Sequence, residues 1–270
     1  MPYFKNNEIN LLFIHIPKTG GTSLENYFKN KYNIELNSNS LHGEKPIPMN
    51  INYTLQHMSY NTIFNNKEIL GIDFLNNSLK IITIIRNPYD RMISDLFYFN
   101  KIRDTSTTSE VFNKIQEYLN SDDIYDNHKL PQSYFITDES NNLINNITIL
   151  HTETLTNDMI NLGYTDFNIT QNNNTNSFSK QNYDKYLNND SIELINNYYE
   201  NDFKILNFTK KVPNKSQLEL DNYEKIKQNY IIYNKQLQIM KDKIQQQQQR
   251  QKQQQQQQQM KTKHFKINFS

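Results

Sequence analysis

Cysteine is absent from all 270 residues, which excludes disulfides, thiolate metal sites and cysteine nucleophiles. Long apolar runs are missing too. The first strong one, Leu11 to Ile16, is far too short to cross a bilayer, and the opening Met1-Pro2-Tyr3-Phe4-Lys5-Asn6-Asn7-Glu8 has no basic flank leading into an apolar core. Neither a membrane span nor a leader is expected in this sequence. An excess of one charge is lacking overall, with 29 basic and 28 acidic side chains, but the two signs are unevenly spread. From Lys210 onward there are 13 basic and 4 acidic residues, against 16 and 24 before it. An acidic body with a basic tail does not concentrate positive charge on a folded face, so a nucleic-acid partner is not expected. Asn-x-Ser/Thr triplets occur at Asn52, Asn146 and Asn207, as they do by chance in a chain this rich in asparagine. Glycine is scarce, with five in the chain, and two of the five are adjacent.

Those two stand in Leu11-Leu12-Phe13-Ile14-His15-Ile16-Pro17-Lys18-Thr19-Gly20-Gly21-Thr22-Ser23. The apolar run reads as a strand that stops at Pro17, which has no N–H for a sheet ladder. Gly20 and Gly21 allow backbone angles that turn successive N–H groups toward one bound group. Thr22 or Ser23 then caps a helix running through Asn30, whose unpaired first N–H groups and positive dipole end face the same point. With Lys18 beside them, the expected ligand is a phosphate or sulfate. The order differs from the nucleotide-binding loop Gly-x4-Gly-Lys-Ser/Thr, since the lysine precedes the glycines.

A second apolar run, Leu79-Lys80-Ile81-Ile82-Thr83-Ile84-Ile85, reads as a central strand covered on both faces. It ends at Arg86-Asn87-Pro88-Tyr89-Asp90-Arg91-Met92-Ile93-Ser94, where Pro88 suits the first turn of a helix. A charged Arg86 at the end of a buried strand requires a partner. That partner is either a bound phosphate or Asp90. A third strand is expected at Asn146 to Leu150, with a helix near Glu110 to Leu119 before it. Strands that each lead into a helix predict an α/β fold with a mainly parallel sheet, collecting ligands at the carboxyl ends of its strands.

Pro17-Lys18-Thr19-Gly20-Gly21-Thr22-Ser23 after an apolar strand resembles the 5′-phosphosulfate loop of the sulfotransferases, in the branch that includes heparan sulfate and other carbohydrate sulfotransferases. Arg86 with Ser94 eight residues on resembles that family's 3′-phosphate motif, Arg-x7-Ser. His128-Lys129-Leu130-Pro131-Gln132 and the Tyr-x3-Asp-Phe pattern at Tyr198 to Phe203 also look like the family, so the resemblance covers roughly residues 9 to 209. It implies a three-layer sandwich and a donor, 3′-phosphoadenosine 5′-phosphosulfate (PAPS). It further implies a hydroxylated acceptor, carbohydrate by branch, and no metal. Lys18, Thr19, Gly20, Gly21, Thr22, Ser23, Arg86 and Ser94 would bind the donor. Such enzymes carry a catalytic histidine between the two motifs. His57, in Thr54-Leu55-Gln56-His57-Met58-Ser59-Tyr60, sits there, with Lys18 as its catalytic companion. His42 competes with it, His15 lies inside the strand, and His128 is either structural or lines the acceptor groove. Relatives also cover the nucleotide with a loop near Asn176, Ser177 and Lys180. Family members of the Golgi lumen carry an anchor before the catalytic domain, so cytoplasmic and lumenal locations both stay open.

Asp190 and Glu193 look like a capping box opening a helix that carries Ile192, Ile195, Tyr199, Phe203 and Leu206. Beyond Pro213, Tyr223, Ile226, Tyr230, Tyr233, Leu237, Met240 and Ile244 follow spacings of three and four. The segment 213–244 is thus a candidate coiled coil, through which the chain could self-associate. Residues 245–270 form a glutamine-rich, low-complexity tail. Two rivals remain: a nucleotide-dependent kinase with a degenerate phosphate loop, and an inactive interaction protein that recruits partners through its tail.

Overall fold

A computed structural model describes residues 1–44, 49, 51–168, 183–213 and 230–236. The chain divides into two units, Met1–Asn214 and Lys215–Ser270. In the second unit the described residues, 230–236, are helical; the rest of the expected heptad stripe and the glutamine tract lie outside the described residues, as do Asn176, Ser177 and Lys180.

The first unit is built on a four-stranded sheet, β1 (Tyr3–Lys5), β2 (Asn10–Ile14), β3 (Lys80–Ile85) and β4 (Ile147–His151), in that spatial order. Strands β2, β3 and β4 are parallel, in the register Leu12 to Ile81 and Ile82 to Thr148. The short β1 turns back to pair antiparallel with β2, Phe4 opposite Leu11. Leu11 to Ile14 and Ile81 to Ile85 are buried without alternation, so both faces of these strands are covered. One polar residue within that run, Thr83, is satisfied by donating to the Ile14 carbonyl at 2.8 Å.

Helices follow the strands: α1 (Gly21–Tyr32) after β2, α2 (Tyr60–Asn65) and α3 (Lys67–Leu70) before β3, then α4 (Pro88–Tyr98), α5 (Thr108–Asn120) and α6 (Gln132–Ile136) before β4. After β4 come α7 (Leu155–Asn161), α8 (Asn189–Tyr198) and α9 (Glu200–Ile205). Period-two residues of the strands, Leu11, Phe13, Ile82 and Ile84, pack with Leu24 and Phe28 of α1 and with Leu155 and Met159 of α7. Each such side chain, fully withdrawn from water, contributes about 1.5–3 kcal/mol. Among the described residues no helix is long and apolar enough to cross a membrane.

Two local expectations are corrected. The α8 cap is Asn188, whose side chain accepts from Ser191 N, rather than a box opened by Asp190. The single packing helix is two, α8 and α9, breaking at Tyr199. The break positions Asp202: its buried carboxylate receives the N–H groups of Gln132 and Ser133, each at 2.8 Å, and so holds the start of α6.

Candidate functional site

Residues 15–23 leave the carboxyl end of β2 and enter α1 through Gly20, the N-cap, with φ 93°. This corrects the expectation that Thr22 or Ser23 caps the helix, since both lie within its first turn. Gly20 makes no side-chain cap bond, so the first-turn N–H groups of Gly21 and Thr22 have no partner inside the helix. Ser23 N donates to Gly20 O at 3.1 Å, and the Ser23 hydroxyl, 1 % exposed, has no hydrogen-bond partner. A buried hydroxyl without a partner at a helix N-terminus is the kind of donor a bound anion would engage. Thr19 is fully buried and donates its hydroxyl to Ile16 O at 2.8 Å. Thr22 is exposed.

The two glycines serve different ends. Gly20 supplies the left-handed backbone. Gly21 supplies space, because a Cβ there would fall inside the imidazole of His15. That ring is fixed from behind: His15 Nδ1 lies 2.6 Å from Glu25 Oε1, on α1. Burial alone would raise the Glu25 carboxyl, but the charge and hydrogen bond of His15 hold it at about 2. Gly21→Ala is expected to destabilise the fold by about 1–3 kcal/mol, as overpacking does, read as a lower midpoint in chemical denaturation. Gly43→Ala, with open space around the added Cβ, is the comparison for a glycine at positive φ without a clash.

Lys18 is half-buried and itself adopts φ 65°. Its ammonium lies 4.2 Å from the centre of the Tyr98 ring, at the end of α4, and burial lowers its pKa against the pull of Asp95. Its carbonyl accepts from Arg86 Nη1 at 3.1 Å, so the end of β3 is tied to the loop after β2. The alternative partner for Arg86 is not used: among the described residues no ion pair joins it to Asp90. Gln132 clamps the Arg86 backbone from both sides, Arg86 N to Gln132 Oε1 and Gln132 Nε2 to Arg86 O, each 2.8 Å. Ser94 is half-buried in the second turn of α4. Thr152, just after β4, donates to Thr19 O at 2.6 Å and lies 3.1 Å from Ile85 O, joining all three parallel strand ends.

His57 closes the site. It is buried, with its ring edge-on to His15 on one side (5.2 Å) and to His128 on the other (5.0 Å). His128 in turn stacks on Tyr98 at 5.2 Å, so His57 is linked by packed rings to Gly21 in one direction and to Lys18 in the other. Its Nδ1 lies 2.8 Å from Asp126 Oδ2. Burial, the two histidine neighbours and the opposing pull of Asp126 bring the His57 pKa down to about 4, while Asp126, raised by burial, is brought net below the usual carboxylate range by His57 and Thr54. At neutral pH an ionised Asp126 is acceptor-only, so the neutral imidazole carries its proton on Nδ1 and a lone pair on Nε2. His42 belongs to the other end of the row, 3.9 Å from Glu25 Oε2. His128 is bonded through Nδ1 to Asp95 Oδ1 at 2.7 Å, and Tyr118 donates to Asp95 Oδ2 at 2.8 Å.

Sequence reasoning missed Asp126, Asp95, Thr152 and Arg91, and gave Gln132, at the end of the His128 pattern, no role. Asp126 sits in a strained turn: Tyr125, Asp126 and Asn127 have φ 50°, 54° and 66° in succession, where non-glycine residues cost roughly 1–2 kcal/mol each. Thr54 N to Asp126 Oδ1 at 2.6 Å and Asn127 Nδ2 to His57 O at 2.9 Å pin this turn to the His57 segment. Three consecutive strained residues beside a buried histidine point to a functional site. Arg91, the second arginine of the Arg86 to Ser94 stretch, is wholly structural. Its guanidinium donates to the carbonyls of Pro17, Leu130 and His128 at 2.9, 3.0 and 2.6 Å, stitching the loop after β2 to the His128 segment.

The family model described as Sulfotransferase family matches residues 1–209. A comparison with curated proteins finds no match, and one with solved structures finds none.

Proposed function

Because the chain belongs to the sulfotransferase family, we propose that it transfers the sulfuryl group of PAPS to a hydroxyl, carried by a carbohydrate acceptor. The observation that carries this reading is the meeting of two strand ends, the Lys18 loop and Arg86, bonded at 3.1 Å beside a buried, neutral His57. A nucleoside with phosphate at both ends suits two such cationic points, and the partnerless Ser23 hydroxyl suits an anion at the α1 end.

The donor supplies an activated sulfuryl group on a phosphate leaving group. Lys18, the N–H groups of Thr19, Gly20, Gly21 and Thr22, and the Ser23 hydroxyl hold its phosphosulfate end and stabilise charge as it builds there, about 2.7–4 kcal/mol per preorganised donor by analogy with oxyanion holes. Arg86 and Ser94 hold the 3′-phosphate and align the donor. His57 Nε2 takes the proton of the acceptor hydroxyl as its oxygen bonds to sulfur and the bond from sulfur to the phosphate oxygen breaks, releasing 3′-phosphoadenosine 5′-phosphate, while Nδ1–H stays hydrogen-bonded to Asp126, which orients the ring and steadies the imidazolium. Carbohydrate as acceptor rests on the likeness of the loop to the carbohydrate branch.

The test is transfer itself. With labelled PAPS and a panel of hydroxylated glycans, each labelled sulfate ester should appear with one 3′-phosphoadenosine 5′-phosphate (PAP). Phosphorylation of the acceptors from ATP and magnesium, without sulfation from PAPS, would refute the reading.

A pH profile follows from the base. His57 works only when neutral, and burial has moved its pKa down to about 4. The acid limb of kcat/KM for the donor should therefore fall well below the ordinary histidine value of about 6.5. A limb centred near 6.5 would show that another group is the base.

A further inference from the structure

The sequence contains no metal-ligand spacing, yet the fold assembles one set of metal-competent side chains from segments far apart in the chain. A ring nitrogen of His57, a carboxylate oxygen of Asp126 and a ring nitrogen of His128 all lie within 4.8 Å of one another. Three properties make this more than proximity. First, His128 has the supporting shell of a metal ligand: its Nδ1 is held by Asp95 at 2.7 Å, leaving Nε2 for an ion, and Asp95 is itself fixed by Tyr118. Such carboxylate–histidine pairs orient the ring and raise its basicity toward a metal. Second, Asp126 is exposed over about a third of its side chain (33 %), whereas both histidines are buried, so an ion has a way in and a mostly dry seat. Third, the strained turn 125–127 presents Asp126 to His57 at 2.8 Å whether or not an ion is present, so the pair is preorganised.

We propose that His57, Asp126 and His128 bind a single divalent ion of the zinc class, and that this ion blocks the proposed sulfuryl transfer by taking the one lone pair of the neutral His57 ring, which leaves the other ring nitrogen protonated and unable to accept the acceptor's proton. The donor set decides the class. Two imidazoles and one carboxylate suit zinc, cobalt or nickel, with distances to nitrogen of about 2.0–2.1 Å and an open fourth position. Magnesium and calcium demand about six or more oxygen ligands, and this set offers one carboxylate. Ligand atoms up to 4.8 Å apart must close to about 3.3 Å around a tetrahedral ion, so the side chains shift on binding.

Blocking rests on the reading of His57 as base, whereas binding does not, and the experiment separates them. Titration of the nucleotide-free chain with zinc chloride should show one ion per chain, and cobalt should give the intense visible absorption of a tetrahedral site. Magnesium should give neither. His128→Gln and Asp126→Asn should each weaken zinc binding at least 10-fold, and Asp95→Asn, which leaves all three ligands in place, about 10–100-fold. Near-UV circular dichroism and PAP binding show that each variant is folded. No zinc bound at one equivalent, or affinity unchanged in both ligand variants, overturns the site. Zinc bound with these dependences but without loss of sulfuryl transfer leaves the site standing and removes His57 as the base.

Discussion

Replacing His57 by alanine is expected to lower kcat by about 10²–10⁴-fold, the usual span of a general base, while the affinity for PAP stays as it was. The split follows from what His57 touches. Its side chain meets Asp126, Thr54 and the rings of His15 and His128, and none of these is a hydrogen bond to the loop that would hold the donor. Loss of the ring removes the proton acceptor without removing an anion ligand. Single-turnover rates with saturating donor and acceptor, set beside calorimetric nucleotide affinity, measure the two halves separately. Turnover within a few-fold of the native chain would move the base to His42 or His128. The same measurements on Asp126→Asn should show a smaller fall in kcat, because the ring remains but its tautomer is no longer held.

The second large effect is expected at Arg86. Arg86→Ala removes a charge-assisted partner of the 3′-phosphate, worth about 1.5–3 kcal/mol, or roughly 10–100-fold in affinity for PAP. Affinity for AMP, which lacks that phosphate, should change little. Arg86→Lys should recover only part, since lysine keeps the charge and loses the planar fork. Part of the alanine effect will be indirect, because Arg86 also bonds the Lys18 carbonyl and its own backbone is clamped by Gln132. The ratio of PAP to AMP affinity isolates the direct term: loop loosening lowers both alike, whereas loss of the phosphate partner lowers one.

The parallel strands were legible because their apolar runs are continuous and end at Pro17 and at Arg86, where ladder or burial must stop. Strand β1 was not, since three residues, Tyr3 to Lys5, carry too little periodicity and form a strand only by pairing with β2. The spacing from Ile192 to Leu206 suits one helix; the chain breaks it at Tyr199 because Asp202 is required at the α6 N–H groups. The turn from β2 into α1 was legible from its paired glycines, but the reason for the second was not: Gly21 answers to the His15 ring, a constraint that exists only once Glu25 of α1 has fixed that ring. Asp126 was the least visible. It lies 69 residues from His57 and reaches it through a run of left-handed residues that no local pattern announces. The one local hint is that Asp126 and Asn127 are residue types that tolerate such angles.

On the proposed reading, the Lys18 loop and Arg86 form the two ends of one site for a nucleotide phosphorylated at both its 3′ and 5′ positions. Isothermal titration calorimetry of the full chain with PAP, AMP and magnesium–ATP tests it most directly. One site should appear, preferring PAP over both others by about 10-fold or more, with the preference abolished in Arg86→Ala; equal affinity for PAP and AMP, or preference for magnesium–ATP, would overturn the assignment.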